Sequence, residues 1–185
     1  MKKIFLFLLI FIAVSGYAQK PLSFSLVIQK EGIDAQTLYD LTRNWFAQSY
    51  GDSKAVLQDQ NPGKELTGRG SETFSIPKIT YSGMDGYIDY IIDIQFKDGR
   101  MKLTLNNFVH KPTRKVKYDN EMGVVIDSLP DNLETLGGKF GKSSHRMYYK
   151  TFHKYAKPVC DIVFKNISNS LQEFINNRES TKDDW

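Results

Sequence analysis

The clearest pattern along the chain is an alternation of apolar and polar positions over residues 87–110, interrupted once at residues 97–100. The interruption contains Asp98-Gly99, a pair typical of a tight hairpin turn because such turns need positive φ at their central residues. The apolar face and the mostly polar face that result predict a sheet with one buried face and one wet face. Pairing outward from the turn places Phe96 opposite Met101, Ile94 opposite Leu103, Ile92 opposite Leu105, Tyr90 opposite Asn107 and Ile88 opposite Val109.

Further segments before the hairpin show patterns of their own. Residues 22–29 alternate and predict a first strand, and residues 35–49 carry apolar positions at helical spacing behind Asp34, a good N-cap. Residues 54–59 and 65–76 predict two more strands. Glycines at positions 68 and 70 interrupt the second of these, and they indicate a bulge or a close backbone approach.

The chain after the hairpin divides into an irregular part and a helical part. Residues 113–143 show no sustained periodicity, so we expect an irregular loop there. A helix is predicted from near His145, and Pro158 is expected to end or kink it because proline lacks an amide donor. A second helical segment then carries an apolar stripe that begins at Cys160, which favours a buried thiol over an intermolecular disulfide or a reactive thiol. Residues 179–185 are expected to form a polar tail.

The first 18 residues have the composition of a secretory signal peptide. Two lysines precede an apolar run over residues 4–14, which is shorter than the roughly 20 residues that span a bilayer. Small residues at −3 and −1 predict cleavage between Ala18 and Gln19, and a retained anchor helix is the alternative. We expect an exported periplasmic or extracellular protein with one domain over residues 19–178 and no later transmembrane segment. Cleavage would lower the formal charge from +4 to +2, because both lysines leave with the signal.

A basic stretch over residues 139–157 contains the candidate binding residues. Residues 136–143 read L-G-G-K-F-G-K-S, which lacks the first glycine of a phosphate-binding P-loop and follows no strand. A Gly-rich loop before a helix suits an anion, and the candidate side chains are Lys139, Lys142, Arg146 and Lys150. The alternative is a solvated helix face that the acidic residues between positions 119 and 134 neutralise.

No catalytic or metal-binding constellation is predicted. The three histidines, at positions 110, 145 and 153, lack metal-ligand spacing, and we expect them at the surface or at helix ends. His153 and Cys160 would lie roughly 10 Å apart along a helix, which is too far for a nucleophile–base pair. Asp89 and Asp93 alternate on a strand and are expected on its wet face. Neither a cofactor nor a nucleic-acid partner is expected.

Four short motifs in the first part of the chain carry a resemblance to a known family. They are Leu38-Tyr39 and Trp45-Phe46 on the predicted helix, residues 68–70 in the third strand, and residues 90–100 of the hairpin. In these motifs the chain resembles an uncharacterised family of secreted Bacteroidetes proteins with a TATA-binding-protein-like (TBP-like) fold. The resemblance implies an α+β fold in which a curved antiparallel sheet of about five strands carries helices on one face, in the order β-α-β-β-β-β-α. It implies no activity.

We interpret the chain as a non-catalytic binding module of the bacterial cell envelope. This interpretation rests on the predicted export, on an ordinary hydrophobic core and on the lack of a predicted catalytic constellation. The partner of this module would be an unidentified envelope protein, glycan or lipid. One alternative is an enzyme of unrecognised type with its site in the 113–143 loop. The other is a binder of anionic polymers or membrane surfaces that uses residues 139–157.

Overall fold

The computed structural model describes residues 19–50, 56–113, 120–136 and 142–180. Within these ranges the chain forms six strands and two α-helices, with two 3₁₀ helices, Ile79–Met84 and Leu133–Leu136, in the connections. The main elements are β1 (Phe24–Gln29), α1 (Ala35–Ser49), β2 (Leu57–Asn61), β3 (Glu65–Phe74), β4 (Gly86–Lys97), β5 (Arg100–Pro112), β6 (Gly123–Val124) and α2 (Ser143–Ser180).

The strands form one antiparallel sheet in the order β1-β5-β4-β3-β2, and β6 pairs with the far end of β5. Burial alternates along β4 and β5, so only one face of the sheet is covered, and both helices lie on that face. The predicted α+β fold is confirmed. The sheet contains β6 in addition to the five expected strands, because two residues of the segment expected to be irregular pair with β5.

The hairpin register is as predicted near the turn and shifts farther out. Pairing is regular from Lys97 opposite Arg100 as far as Ile91 opposite Asn106, after which β5 holds one extra residue. Asn107 has a φ of 52°, a left-handed conformation that asparagine adopts more readily than most residues. The predicted pairs Tyr90–Asn107 and Ile88–Val109 are therefore wrong. The core-facing residues beyond the bulge are Phe108 and His110, both fully buried.

The core lies between the apolar sheet face and the two helices. Trp45 is buried on α1, and its Nε1 donates to Ser170 Oγ of α2 at 3.0 Å, which ties the two helices together. Phe24 of β1 also contacts α2, because its ring stacks on that of Phe164 with ring centroids 5.2 Å apart. Cys160 is buried on the same helix, as the sequence predicted.

Helix α1 begins as expected at Asp34, whose carboxylate accepts from the Thr37 backbone N–H at 2.8 Å and from its hydroxyl at 2.9 Å. These hydrogen bonds to Thr37 lower the pKa of Asp34 below its usual value. The hairpin turn adds a second contact, because Asp98 Oδ1 accepts from the Ala35 N–H at 2.9 Å. The turn between β4 and β5 therefore also fixes where α1 starts.

The glycines of β3 mark close approaches of aromatic rings. A Cβ at Gly68 would lie 2.7 Å from Cε1 of Phe46, and a Cβ at Gly70 would lie 2.3 Å from Cε2 of Tyr90. Both distances are shorter than van der Waals contact, so the two rings occupy the space that side chains would otherwise fill. Close approach is therefore present at both glycines, and the pairing of β2 with β3 also shifts register beside Gly68, between Leu57 and Asp59.

Four expectations need correction or lie outside the described residues. Helix α2 is continuous through Pro158 rather than two segments, and it extends to Ser180, into the expected polar tail. Within the segment expected to be irregular, residues 120–136 contain β6 and a 3₁₀ helix. The signal peptide, including Ala18, and residues 181–185 lie outside the description, and Gln19 is its first residue. Among the described residues, no helix combines the length and the apolar character needed to cross a bilayer.

Candidate functional site

The uncovered side of the sheet, which we call the open face, carries the candidate site. Its side chains alternate with the core residues along three neighbouring strands. The members used below are Thr67, Arg69 and Ser71 of β3, Tyr87, Asp89, Ile91, Asp93 and Gln95 of β4, and Lys102, Thr104, Asn106, Asn107, Val109 and Lys111 of β5.

Asp93 lies at the centre of a hydrogen-bonded group that spans three strands. Thr67 Oγ1 donates to Asp93 Oδ1 at 3.0 Å, and Asn106 Nδ2 donates to Asp93 Oδ2 at 2.7 Å. Each carboxylate oxygen can accept more than one hydrogen bond, so both keep capacity toward solvent. The arrangement holds a half-buried acceptor in a fixed orientation on the face.

Asp89 forms a second group four residues before Asp93. Its Oδ1 accepts from Ser71 Oγ at 2.7 Å, and its Oδ2 pairs with Lys111 Nζ at 2.7 Å. Partial burial works to raise the pKa of Asp89, but the hydrogen bonds from Lys111 and Ser71 outweigh it and lower the pKa below its usual value. Asp89 is therefore a carboxylate at neutral pH.

Two shallow depressions lie over these groups. The larger has a volume of about 230 Å³, and its lining residues are Glu65, Thr67, Asp93, Ile94, Gln95, Lys102 and Thr104. The smaller has a volume of about 110 Å³, and its lining residues are Arg69, Asp89, Tyr90, Ile91, Asn107, Val109 and Lys111. The bulge at Asn107 thus shapes the smaller depression, and one fixed aspartate lies in each.

The side chains of the open face offer hydrogen-bond donors and acceptors of both charge signs. Carboxylates, amides, hydroxyls and amines of both charge signs line the depressions. The thiol of Cys160 lies in the core, and its burial raises its pKa to about 12, so it stays protonated at neutral pH. In the described part of the chain, no cluster of three His, Cys, Asp or Glu side chains is placed to hold a metal ion.

The sequence placed Asp89 and Asp93 on the wet face, and the structure does so too. What it missed is that each aspartate is held by side chains from neighbouring strands. The available signal was the register, because Asp93 pairs with Thr104 in the predicted hairpin and lies two residues from Ile91, opposite Asn106. The bond from Thr67 depends on how β3 pairs with β4, which no local pattern specifies.

Three of the four residues predicted to bind an anion, Lys142, Arg146 and Lys150, follow one another at intervals of four residues at the start of α2. Lys139 lies outside the described residues, while Lys142 and Lys150 are exposed. Arg146 forms an ion pair with Glu134, and this pair supports the alternative in which acidic residues fold back onto the basic helix. The predicted anion site remains a prediction.

The expectation of surface histidines is wrong for two of the three. His110 is buried, accepts from the Met122 N–H at Nδ1 over 3.1 Å, and lies 2.8 Å from the Met84 carbonyl at Nε2. Nε2 therefore carries the proton. His153 is also buried, and its Nε2 lies 2.8 Å from the Ile126 carbonyl. Both rings thus bind the backbone.

Side chains of α2 fasten the segment that contains β6. The Tyr149 hydroxyl donates to the Val124 carbonyl at 2.9 Å, and Lys157 Nζ donates to the Asp127 carbonyl at 2.6 Å. Tyr149, His153 and Lys157 are four residues apart, so they lie on one stripe of the helix. This stripe belongs to the packing of the fold and lies on the helix side of the sheet.

Comparisons with known proteins bear on the family and the fold. Residues 24–111 match the model of a family described as a domain of unknown function (DUF4468) with TBP-like fold. A comparison with curated proteins gave no match. The match confirms the resemblance inferred from the sequence, as to family and fold, over these residues.

Two crystal structures share the fold. A DUF4468 family protein from Bacteroides ovatus ATCC 8483 is 17% identical and superposes with a TM-score of 0.53, covering 85% of this chain and 88% of that chain. A TBP-like protein from Parabacteroides distasonis ATCC 8503 is 13% identical, with a TM-score of 0.52, covering 82% of this chain and 93% of that chain. At these identities the likeness shows the fold alone.

Proposed function

We propose that this protein, whose residues 24–111 match the DUF4468 family, is an exported non-catalytic binding module of the bacterial cell envelope. We further propose that its ligand is a glycan bound on the open face. The observation that carries the proposal is Asp93, held by Thr67 and Asn106 in the wall of the larger depression. Export rests on the N-terminal sequence, with cleavage between Ala18 and Gln19.

A hydroxyl-rich ligand fits this surface better than an apolar one. Sugar hydroxyls donate to fixed carboxylates and accept from amides and amines, and the larger depression offers Asp93, Gln95 and Lys102 for these roles. A protein partner usually buries an apolar centre with few charged groups. The lining of the larger depression is polar except for Ile94, so its composition favours a glycan over a protein or a lipid tail.

The length of the open face suits an extended ligand. Asp93 lies six residues from Tyr87 along β4, a distance of roughly 20 Å at the usual strand rise. Tyr87 is 48% exposed, and its ring offers an apolar surface to the C–H groups of a sugar. Asp89 lies between them, so a chain of sugar units along β4 would meet two carboxylates and then an aromatic ring.

The test is binding of envelope polysaccharides to residues 19–185, measured by calorimetry with wild type and Asp93→Ala. Removing a charged hydrogen-bond acceptor from a binding site is expected to weaken the affinity about tenfold or more. Asp161→Asn, on the helix side of the sheet, is the matched control and should bind like wild type. Glycan binding that survives Asp93→Ala would place the site elsewhere, and capture of a protein alone would replace the glycan as ligand.

A further inference from the structure

A second surface lies where the 3₁₀ helix Ile79–Met84 meets the first turns of α2. The rings of Tyr81 and Tyr148 pack edge to face across this junction, with centroids 5.7 Å apart. Beside each tyrosine is a large exposed apolar side chain: Ile79 is 91% exposed and Met147 is 59% exposed. We call these four residues the end patch.

Single exposed apolar residues are ordinary on protein surfaces, so Ile79 and Met147 alone do not indicate a docking surface. The charged side chains around the end patch give a second indication. Lys150 and Lys154 lie three and seven residues after Met147, on the same stripe of α2, and both are exposed. Lys78, also exposed, directly precedes Ile79. These lysines give the surroundings of the end patch a positive charge.

Two acidic groups near this junction have partners within the fold. Glu134 is paired with Arg146, which lies on α2 next to Met147. The carboxylate of Asp85, at the end of the 3₁₀ helix, accepts from the Ile76 N–H at 3.3 Å. Lys78, Lys150 and Lys154 thus lie around exposed apolar groups, and the carboxylates named here are directed to partners within the fold.

We propose that the end patch docks on the surface of an anionic lipid bilayer. Exposed aliphatic side chains enter the acyl boundary, tyrosines lie at the level of the headgroups, and lysines attract anionic phosphates. The end patch supplies the aliphatic side chains and the tyrosines, and Lys78, Lys150 and Lys154 around it supply the positive charge. A soluble polyanion would attract the lysines and leave Ile79 in water, so the apolar residues favour a membrane.

This inference is independent of the proposed glycan site. The end patch is built from a connection and from α2, whereas the open face is built from β3, β4 and β5 on the opposite side of the sheet. The two surfaces can therefore be tested separately. A module that docks at its end on a membrane would keep the open face available.

The experiment is sedimentation of residues 19–185 with vesicles of phosphatidylglycerol or of phosphatidylcholine, at low and high salt. Wild type is expected to bind phosphatidylglycerol, with affinity that falls as salt rises. Ile79→Ser with Met147→Ser should weaken binding about tenfold or more, since both apolar side chains leave the acyl boundary. Lys150→Gln with Lys154→Gln should weaken it by a similar factor and flatten the salt dependence.

Ile162→Ser is the matched control, because Ile162 is 56% exposed on the same helix, about four turns away. It should bind like wild type, as should Asp93→Ala, and thermal melts would verify that every variant is folded. No binding to phosphatidylglycerol, equal binding to both lipids, or an equal loss with Ile162→Ser would each overturn the proposal. Loss of glycan binding in Asp93→Ala with intact vesicle binding would support the membrane proposal, because it would show that the two surfaces act separately.

Discussion

Replacing Gly70 with alanine tests the account of the close approach between β3 and an aromatic ring. The added Cβ would lie 2.3 Å from both Cε2 and Cζ of Tyr90 and 2.5 Å from its hydroxyl. Tyr90 is buried and packs against the Phe108 ring, with centroids 5.7 Å apart, and its hydroxyl bonds to Tyr50. The ring therefore has little freedom to move away from a new methyl group.

The expected magnitude follows from overpacking. A methyl group forced into a filled core usually lowers the free energy of unfolding by about 1–3 kcal/mol, and the short distances place Gly70→Ala at roughly 2–3 kcal/mol. For a domain of this size that corresponds to a fall in melting temperature of roughly 4–12 °C. Without the clash, alanine would stabilise the chain by about 0.4–1 kcal/mol, because it restricts the unfolded state.

The assay is urea unfolding of residues 19–185, followed by circular dichroism. Gly83→Ala is the matched control: nothing lies within 4 Å of its built Cβ, so its stability should equal or exceed that of wild type. Repeating Gly70→Ala in a Tyr90→Leu background removes the atoms that clash, and the cost should fall by at least about 1 kcal/mol. An equal cost in both backgrounds, or no cost in wild type, would refute the explanation.

Two further predictions concern Asp34 and Cys160. The folded pKa of Asp34 is lowered, so its stabilisation is complete above its unfolded pKa of about 3.8 and is lost as pH falls through the folded value. Asp34→Ala should therefore be less stable than wild type at pH 7, with a gap that narrows in acid melts; a constant gap would contradict this. Burial raises the pKa of Cys160 to about 12, so iodoacetamide should label it only after unfolding, and rapid labelling of the native protein would contradict its burial.

The hairpin shows how far local patterns reach. Asp98-Gly99 and strict alternation determine the pairing as far as Ile91 opposite Asn106, because each pair follows from the one before. The bulge at Asn107 ends this regular pairing, so the pairs beyond it cannot be predicted by counting from the turn. Its only local sign in the sequence is the pair of asparagines at 106 and 107. One inserted residue exchanged the two faces of the strand beyond it, so His110 lies in the core.

The hydrogen-bonded group around Asp93 could not be predicted from the hairpin alone. The sequence placed Asp93 on the wet face but could not choose which strand would lie on the other side of β4. Pairing of Thr67 with Asp93 joins residues 26 apart in sequence, and the relative placement of such strands depends on the whole sheet. A depression also depends on twist and on bulges, which alternation alone does not encode.

The continuity of helix α2 through Pro158 likewise depends on contacts between residues that are distant in sequence. Proline removes one hydrogen bond and crowds one turn, which is a local penalty of about 3 kcal/mol. On either side of it, one stripe of the helix, which includes Phe152, Cys160 and Leu171, is buried in the core. Tertiary packing over this length outweighs the local penalty, and periodicity within a short window does not measure that packing.

The position of α2 defines what can fold as a unit. The region matched by the family, residues 24–111, ends before α2 begins, yet Phe74 packs on Phe152 and Phe24 on Phe164. Cut after residue 111, the chain would expose to water the apolar side chains of the sheet that α2 covers, Phe24 and Phe74 among them. We expect such a fragment to aggregate, and during synthesis the sheet has to wait for the last helix before its interior closes. The region matched by the family model is therefore shorter than the length of chain that closes the core.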